Sequence, residues 1–269
     1  MFTGFNIRVK DEQPFSDYYD YGINIFNDHK RTINDNLMNY INVDGSLSES
    51  LIEGDWFPKI DAHVFLSHSH SDIDFVVSFA GWLYKMFHIK AFIDSSVWGN
   101  ADDLLKAIDE KYCVLKQNED GSTDTYSYTL RNKSTSNVHM ILYTALMKMI
   151  DSTECLMFIN TPASLKWSDM ISNKSATASP WIYGEMLASK LIRIRPKENH
   201  RKTTQKPSLR HHAKIYESVK MPNFEYSFDS GHLCNITDAD LQYFESNFSG
   251  NNPYVALDEF YDYKEIGLS

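Results

Sequence analysis

Three short segments of the chain carry side chains that suit chemistry on a polar, ring-containing substrate. They are residues 64–71 (VFLSHSHS), residues 92–98 (FIDSSVW) and residues 181–185 (WIYGE). Each combines hydroxyl, imidazole or carboxyl groups with an apolar run or an indole. Groups of these types can bind hydroxyls and phosphates, transfer protons and stabilise a developing positive charge.

In the third segment Trp181 and Glu185 stand four residues apart. Ser179 and Pro180, just before them, are typical of a helix start, so we predict that both side chains share one face of a helix. A carboxylate beside an indole suits a glycosidic bond that breaks to leave a cation, because it can hold ribose hydroxyls and stabilise an oxocarbenium-like centre. The alternative is an ordinary amphipathic helix with an exposed Glu185 and a half-buried Trp181.

The first segment runs from a predicted strand into a polar loop and then into a helix. In open parallel sheets this position collects ligands, because the carboxyl end of the strand and the free N–H groups of the helix face one crevice. Ser67, His68 and Ser69 are therefore candidates for contacts with a phosphate or a ribose. A polar turn without a ligand is the alternative.

The same loop contains the pattern H-x-H-x-D at His68, His70 and Asp72. Two imidazoles and a carboxylate after a strand hold zinc for water activation in metallo-β-lactamase-like hydrolases. The chain departs from that pattern, because Ile73 stands where those enzymes usually have another histidine. A zinc hydrolase is thus an alternative function for this loop.

The second segment ends a predicted strand on Asp94, which places a carboxylate at the same sheet edge as the serine-histidine loop. Trp98, in the loop that follows, can stack on the flat ring of a ligand or pack over the end of the sheet. Both interpretations stay open at this point.

Apolar runs and helical periodicity alternate along the middle of the chain, which predicts a parallel sheet with crossover helices. The predicted strands are 62–66, 90–94, 155–159 and 226–228. The predicted helices are 32–41, 101–111, 138–150, 180–192, 237–248, 254–263 and one that is capped at 71 or 72 and reaches 87. Residues 113–131 interrupt this order and predict an inserted β-hairpin, with Asp120-Gly121 in its turn.

In this order the three segments resemble the TIR (Toll/interleukin-1 receptor-like) domain family. The shared features are a strand with an S-x-S/H loop (65–69), an F-x-D strand end with a nearby Trp-Gly (92–99), a strand that ends near proline (158–162) and S-x-W-x-x-x-E (179–185). The resemblance covers about residues 60–195. The hairpin and both ends of the chain have no counterpart in these motifs.

The resemblance implies an α/β fold with a flavodoxin-like, three-layer parallel sheet of about five strands. It also implies an enzyme of the prokaryotic NAD-cleaving type, a group that includes antiphage defence proteins of the Thoeris type. Such an NAD+ glycohydrolase or cyclase breaks the nicotinamide-ribose bond and releases nicotinamide and an ADP-ribose-derived signal, which a downstream effector senses.

Within this resemblance Glu185 would be the catalytic carboxylate. The residues expected to bind NAD+ are Ser67, His68, Ser69, Asp94, Trp98 and Trp181. NAD+ is the substrate, so no metal or further cofactor is expected. Other members of the family are non-catalytic scaffolds that signal by self-association, which is the main alternative, and we expect a homo-oligomer in either case.

These patterns divide the chain into an N-terminal extension of unknown role (1–58), a TIR-like core (59–195), a basic linker or loop (196–214) and a C-terminal segment that completes the domain (215–269). Residues 193–214 contain eight Lys and Arg against one Glu. We interpret this stretch as a solvated connection, with a patch for nucleic acid or an acidic partner as the alternative.

Composition and charge restrict the classes of partner. The net charge of −10 over 269 residues argues against non-specific binding to nucleic acid or to an anionic membrane. The cysteines number three and form no C-x-x-C pair, which favours reduced thiols and a cytoplasmic protein. The longest apolar stretch, residues 138–150, is too short to span a bilayer.

Overall fold

The computed structural model describes residues 1–29, 47–48, 51–52, 62–95, 101–118, 121–162, 164, 174–201, 226–248 and 250–266. The strands are β1 (Thr3–Arg8), β2 (Val64–Ser67), β3 (Ala91–Ile93), β4 (Val114–Gln117), β5 (Thr123–Tyr126), β6 (Cys155–Ile159), β7 (Lys174–Thr177), β8 (Tyr226–Asp229) and β9 (Cys234–Thr237). The helices are α1 (Tyr19–His29), α2 (Ile73–Phe87), α3 (Ala101–Tyr112), α4 (Tyr128–Ser152), α5 (Pro180–Leu191), α6 (Asp238–Asn247) and α7 (Pro253–Tyr263). Short 3-10 helices occur at Gln13–Tyr18, His70–Asp72 and Lys197–Asn199. The helix predicted at 32–41 lies outside the described residues.

Five strands form one parallel sheet in the order β3-β2-β6-β1-β9. The strands β2, β3 and β6 are buried along their whole length, as in parallel sheets that are covered on both faces. Within this sheet, the strand that follows β2 along the chain is β3, which lies to one side of it. The strand that follows β6 is β9, which lies to the other side. The crevice between the carboxyl ends of β2 and β6 is therefore the switch point, where open α/β sheets bind ligands.

Alternate residues of the strands face two different helical layers. On β2, Val64 and Leu66 pack in a cluster with α1, α2, α6 and α7, whereas Phe65 packs in a second cluster with α3, α4 and α5. The predicted three-layer arrangement, with a parallel sheet between two helical layers, is confirmed. It is compatible with a flavodoxin-like fold.

The position of β1 corrects the prediction that residues 1–58 form an extension. Flavodoxin-like sheets follow the strand order 2-1-3-4-5. In this sheet the fourth position, between β6 and β9, is filled by β1, the first strand of the chain. The first, second, third and fifth positions belong to β3, β2, β6 and β9. Phe5 and Ile7, which alternate with polar residues, are the buried apolar positions of this strand, and the polar run that begins at Lys10 made the segment resemble an extension.

The inserted hairpin is present but shorter than predicted. The strands β4 and β5 pair in antiparallel fashion, and Gly121 adopts a φ of 82° in the connection, a conformation that favours glycine. Helix α4 then begins at Tyr128, ten residues before the predicted start at Val138. These three turns could not be predicted from the sequence pattern because they are exposed and carry no apolar face. Their N-cap is Ser127, whose hydroxyl accepts from the backbone N–H of Leu130.

The described part of the basic segment is held against the domain, which corrects its interpretation as a solvated connection. Three of its cations pair with carboxylates: Arg195 with Asp151, Lys197 with Asp258, and Arg201 with both Glu154 and Asp258. These pairs lie at the amino end of β6, at the edge of the sheet opposite the switch point. Residues 202–214 lie outside the described residues.

Helices α1 and α2 cross closely at two glycines. A Cβ atom on Gly22 would lie 1.8 Å from the carbonyl oxygen of Val77, and one on Gly81 would lie 2.1 Å from that of Tyr18. Both contacts are with backbone, which cannot turn aside as the end of a long side chain can. The crossing therefore requires glycine at both positions.

We expect Gly22→Ala to lower the free energy of unfolding by about 1–3 kcal/mol, because overpacking outweighs the roughly 1 kcal/mol by which alanine favours a helix over glycine. Denaturant unfolding measures this change. Asn27→Ala, at an exposed position of the same helix, is the matched control and should stay within about 0.5 kcal/mol of the parent. A Gly22 variant as stable as the parent would contradict the close crossing.

Among the described residues, no helix combines the length and the apolar character needed to cross a membrane.

Candidate functional site

Two neighbouring strands deliver polar side chains to the same end of the sheet. The parallel register pairs Leu66 with Ile93, so Ser67 at the end of β2 and Asp94 directly after β3 stand side by side. Since Phe65 and Phe92 face the layer of α3, α4 and α5, the alternation of strand side chains directs Ser67 and Asp94 to that layer as well.

Helix α5 supplies the third group from above this face. Its N-cap is Ser179, whose hydroxyl accepts from the backbone N–H of Ile182, and Pro180 occupies the first turn, as predicted. The positions that face the sheet follow helical spacing and are all buried: Ile182, Glu185, Met186 and Ser189. The carboxyl group of Glu185 therefore lies in a buried stripe, directly beside the apolar side chains of Ile182 and Met186.

The side chains meet in one buried polar cluster, here called the Ser67-Glu185 cluster and made of Ser67, His68, Asp94 and Glu185. The Ser67 hydroxyl donates to Oε2 of Glu185 at 2.5 Å. The imidazole Nδ1 of His68 lies 2.8 Å from Oδ1 of Asp94. Glu185 and Ser67 are 0% exposed, His68 3% and Asp94 4%. The structure thus unites four of the seven predicted site residues.

Two polar atoms of the Ser67-Glu185 cluster have no hydrogen-bond partner among the described residues. They are Nε2 of His68 and Oε1 of Glu185, and both are buried. A buried polar atom without a partner costs about 1–3 kcal/mol, so such atoms are often completed by a ligand or a water molecule.

The electrostatics of the cluster favour a neutral Glu185. Burial, followed by the negative charge of Asp94 and a hydrogen bond to it, raises the pKa of Glu185 well above its usual range, although the Ser67 hydroxyl acts in the opposite direction. Burial by itself would lower the pKa of His68, but the charge of Asp94 and their hydrogen bond outweigh it, so this pKa is raised. Perturbed carboxyl and imidazole groups in one place are typical of functional sites.

The remaining predicted site residues stand apart from the cluster or cannot be placed. Ser69 is partly exposed and its hydroxyl lies 3.0 Å from that of Ser71. Trp181 is half-buried and stacks on the imidazole of His139 in α4, with ring centroids 5.8 Å apart. Trp98 lies outside the described residues. Contacts of these three residues with NAD+ stay a prediction.

The geometry does not favour the zinc alternative. His68 is buried beside Asp94, whereas His70 is exposed. Asp72 instead accepts a hydrogen bond of 2.6 Å from the Thr161 hydroxyl, which ties the start of α2 to the loop after β6. In the part of the chain that the structure describes, no three His, Cys, Asp or Glu side chains come together as metal ligands.

A row of asparagines that no sequence motif indicated lies on the same face of the sheet. Asn160 donates to Asn6 at 2.9 Å, and Asn6 donates to Asn235 at 2.8 Å. The strand register aligns Ser67, Phe158 and Asn6, so Asn6 lies two strand spacings from Ser67, or about 10 Å. These residues become neighbours only because β1 lies beside β6 and β9 lies beside β1, which no local pattern indicates.

Comparison of the chain with protein-family models, with curated proteins and with solved structures found no match in any of the three. A function for this chain therefore has to be derived from the site itself and from the motifs that it contains.

Proposed function

We propose that the chain is a TIR-like NAD+ nucleosidase that cleaves the nicotinamide-ribose bond. The observation that carries the proposal is the contact between Ser67 and Glu185, which unites the S-x-S/H loop with the S-x-W-x-x-x-E helix at the switch point of the sheet. Asp94, from the third motif, joins the same cluster. Three separately weak sequence motifs thus have their polar residues in one place.

The proposed chemistry uses Glu185 as the group that stabilises positive charge. As the C1′–N bond of NAD+ breaks, nicotinamide leaves with the bonding electron pair and the ribose gains oxocarbenium character. An ionised Glu185 beside C1′ stabilises that charge, an effect worth about 10²–10³ in rate for one well-placed group. The nicotinamide ribosyl group of NAD+ is cationic, so its binding beside Glu185 counteracts the raised pKa and favours the ionised form.

The burial of the cluster implies that the site opens before the substrate enters. Glu185 and Ser67 have no exposed surface. Such exclusion of water strengthens electrostatic interactions once the substrate is bound. The burial of the cluster also favours a second candidate function, a non-catalytic scaffold that acts by self-association. A carboxyl group without contact with solvent can serve as a structural element of the fold.

Incubation of the parent chain with NAD+ and chromatography for nicotinamide tests the proposal. We expect release of one nicotinamide for each NAD+ consumed, with a higher specific rate at high protein concentration if assembly completes the pocket. NAD+ left intact at both low and high protein concentration would contradict the proposal and favour the scaffold. Mass spectrometry of the second product distinguishes linear, cyclic and conjugated ADP-ribose.

The resemblance to the TIR family also implies a biological role and a state of assembly. We propose a cytoplasmic homo-oligomer of the antiphage defence type whose ADP-ribose-derived product is sensed by a downstream effector. The association state at several protein concentrations, measured by light scattering, tests the oligomer independently of catalysis.

A further inference from the structure

His68 is held in an orientation that leaves one ring nitrogen available. Its Nδ1 lies 2.8 Å from Oδ1 of Asp94, and the backbone oxygen of Leu66 lies 3.4 Å from the same nitrogen. Two oxygen acceptors on one side of the ring place the proton of the neutral imidazole on Nδ1. The lone pair of the neutral ring is then on Nε2, as in a histidine that acts as a general base and is oriented by a carboxylate.

The available nitrogen lies inside the site and not on the surface of the protein. The His68 side chain is 0% exposed, and its Nε2 has no hydrogen-bond partner among the described residues. In the same cluster Oε1 of Glu185 is also buried without a partner there. One nitrogen lone pair and one carboxyl oxygen are thus both available to a ligand. Cleavage of NAD+ that was assisted by a carboxylate alone would use only the carboxyl oxygen.

We propose that His68 is a second catalytic residue of the proposed NAD+ cleavage, the base that takes the proton from the O–H acceptor which attacks C1′. The inference rests on the proposed function. In the step, the C1′–N bond breaks and its electron pair leaves with nicotinamide, the oxygen of water or of an alcohol forms the new bond to C1′, and the proton of that oxygen moves to Nε2. Asp94 is the positioning residue, because it holds the imidazole through Nδ1.

The charges around His68 make this role dependent on pH. The carboxylates whose charge acts on it are Asp94 and, more weakly, Asp72, and Glu185 belongs to the same cluster. Burial lowers and Asp94 raises the pKa of His68, with a net increase. The imidazole is a base only when neutral, so transfer to an O–H acceptor increases as the pH rises through this raised pKa.

The test compares two acceptors that share the first bond cleavage but differ in their need for a base. Hydrolysis and methanolysis require the removal of a proton, whereas exchange with 3-acetylpyridine requires none, because its ring nitrogen attacks C1′ with a free lone pair. We expect His68→Gln to lower hydrolysis and methanolysis by about 100-fold or more relative to exchange. His70→Gln, at the exposed position two residues away, is the matched control and should keep the parent ratio.

A measurement on the parent chain covers the case in which the buried substitution impairs folding. The ratio of hydrolysis to exchange should rise with pH in the parent and become constant above the pKa of His68. A ratio independent of pH, or a His68 variant that loses both reactions equally while it stays folded by circular dichroism, would overturn the inference and leave the proposed function standing. A parent chain that yields neither product would overturn the proposed function itself, and the inference with it.

Discussion

Glu185→Gln should reduce nicotinamide release by at least about 10²–10³-fold without loss of the fold. Glutamine has the shape of a protonated glutamate, so its carbonyl oxygen can accept from Ser67 and its amide can donate toward Asp94. It cannot carry the negative charge that the proposed transition state requires. Steady-state nicotinamide release by the two proteins at equal concentration measures the difference.

The same substitution should stabilise the chain, and more so at higher pH. Burial and the charge of Asp94 raise the pKa of Glu185 above that of the unfolded chain, for which the ordinary value is 4.5. The folded chain therefore gains stability from this proton below pH 4.5 and loses that contribution as the pH rises through the folded pKa. Glutamine does not titrate, so the unfolding midpoint of the variant should exceed that of the parent increasingly above pH 4.5.

Glu110→Gln is the matched control for both measurements. Its carboxylate is exposed, and its pair with Lys106 at 3.9 Å contributes little. We expect Glu110→Gln to release nicotinamide at the parent rate. The difference between its unfolding midpoint and that of the parent should not grow with pH as it does for Glu185→Gln. If Glu185→Gln turned over NAD+ at the parent rate, the assigned catalytic role would be wrong, and a midpoint difference that did not grow with pH would contradict the buried neutral carboxyl group.

Arg201→Ala should lower the free energy of unfolding by about 3–5 kcal/mol, the loss expected when one partner of a buried ion pair is removed. Arg201 donates to both carboxyl oxygens of Glu154, at 2.9 and 2.7 Å, and to Asp258 at 2.8 Å. Glu154 is 2% exposed, and without Arg201 its remaining side-chain donor in the described structure is the hydroxyl of Tyr261. Thermal unfolding should show a decrease in midpoint on the order of 10 °C.

A second substitution distinguishes the effect of the unpaired Glu154 charge from the other effects of removing Arg201. Adding Glu154→Gln to the Arg201 variant should recover part of the loss, because the unpaired buried charge is then removed. Lys116→Ala, which breaks the exposed pair with Asp124, is the control and should cost less than about 1 kcal/mol. Unchanged stability of the Arg201 variant would show that the basic segment is not anchored at this edge of the sheet.

Most helices and strands between residues 62 and 192 could be predicted because each carries its own signal. The strand β7 (Lys174–Thr177), which has no apolar run, was missed. The strand Cys155–Ile159 is a continuous apolar run, and α5 begins at the predicted Ser179-Pro180 pair. Helix α2 has an apolar face at helical spacing. The same signals fail for the first three turns of α4, which are exposed and polar, since periodicity exists only where a face is buried.

The candidate site could be predicted in part for a similar reason. A polar residue at the end of a buried strand must lie at the edge of the sheet, so Ser67 and Asp94 could be assigned to one edge from sequence. No local pattern indicates that Glu185 is 0% exposed, since a glutamate on an amphipathic helix is usually solvated. His68 was predicted as a ligand contact, but its pairing with Asp94 depends on the register of two strands.

By itself, the sequence determined the α/β class, the alternation of elements in the middle of the chain and the residue types at the carboxyl ends of its strands. Those features depend on hydrophobic periodicity and on capping, which act over a few residues. Tertiary structure alone decided that β1 lies between β6 and β9 and that Arg195, Lys197 and Arg201 pair with carboxylates. It also decided that Ser67, His68, Asp94 and Glu185 form one buried cluster. These are contacts between residues up to 229 positions apart, and their free energy depends on burial and on nearby charge, which only the packed chain creates.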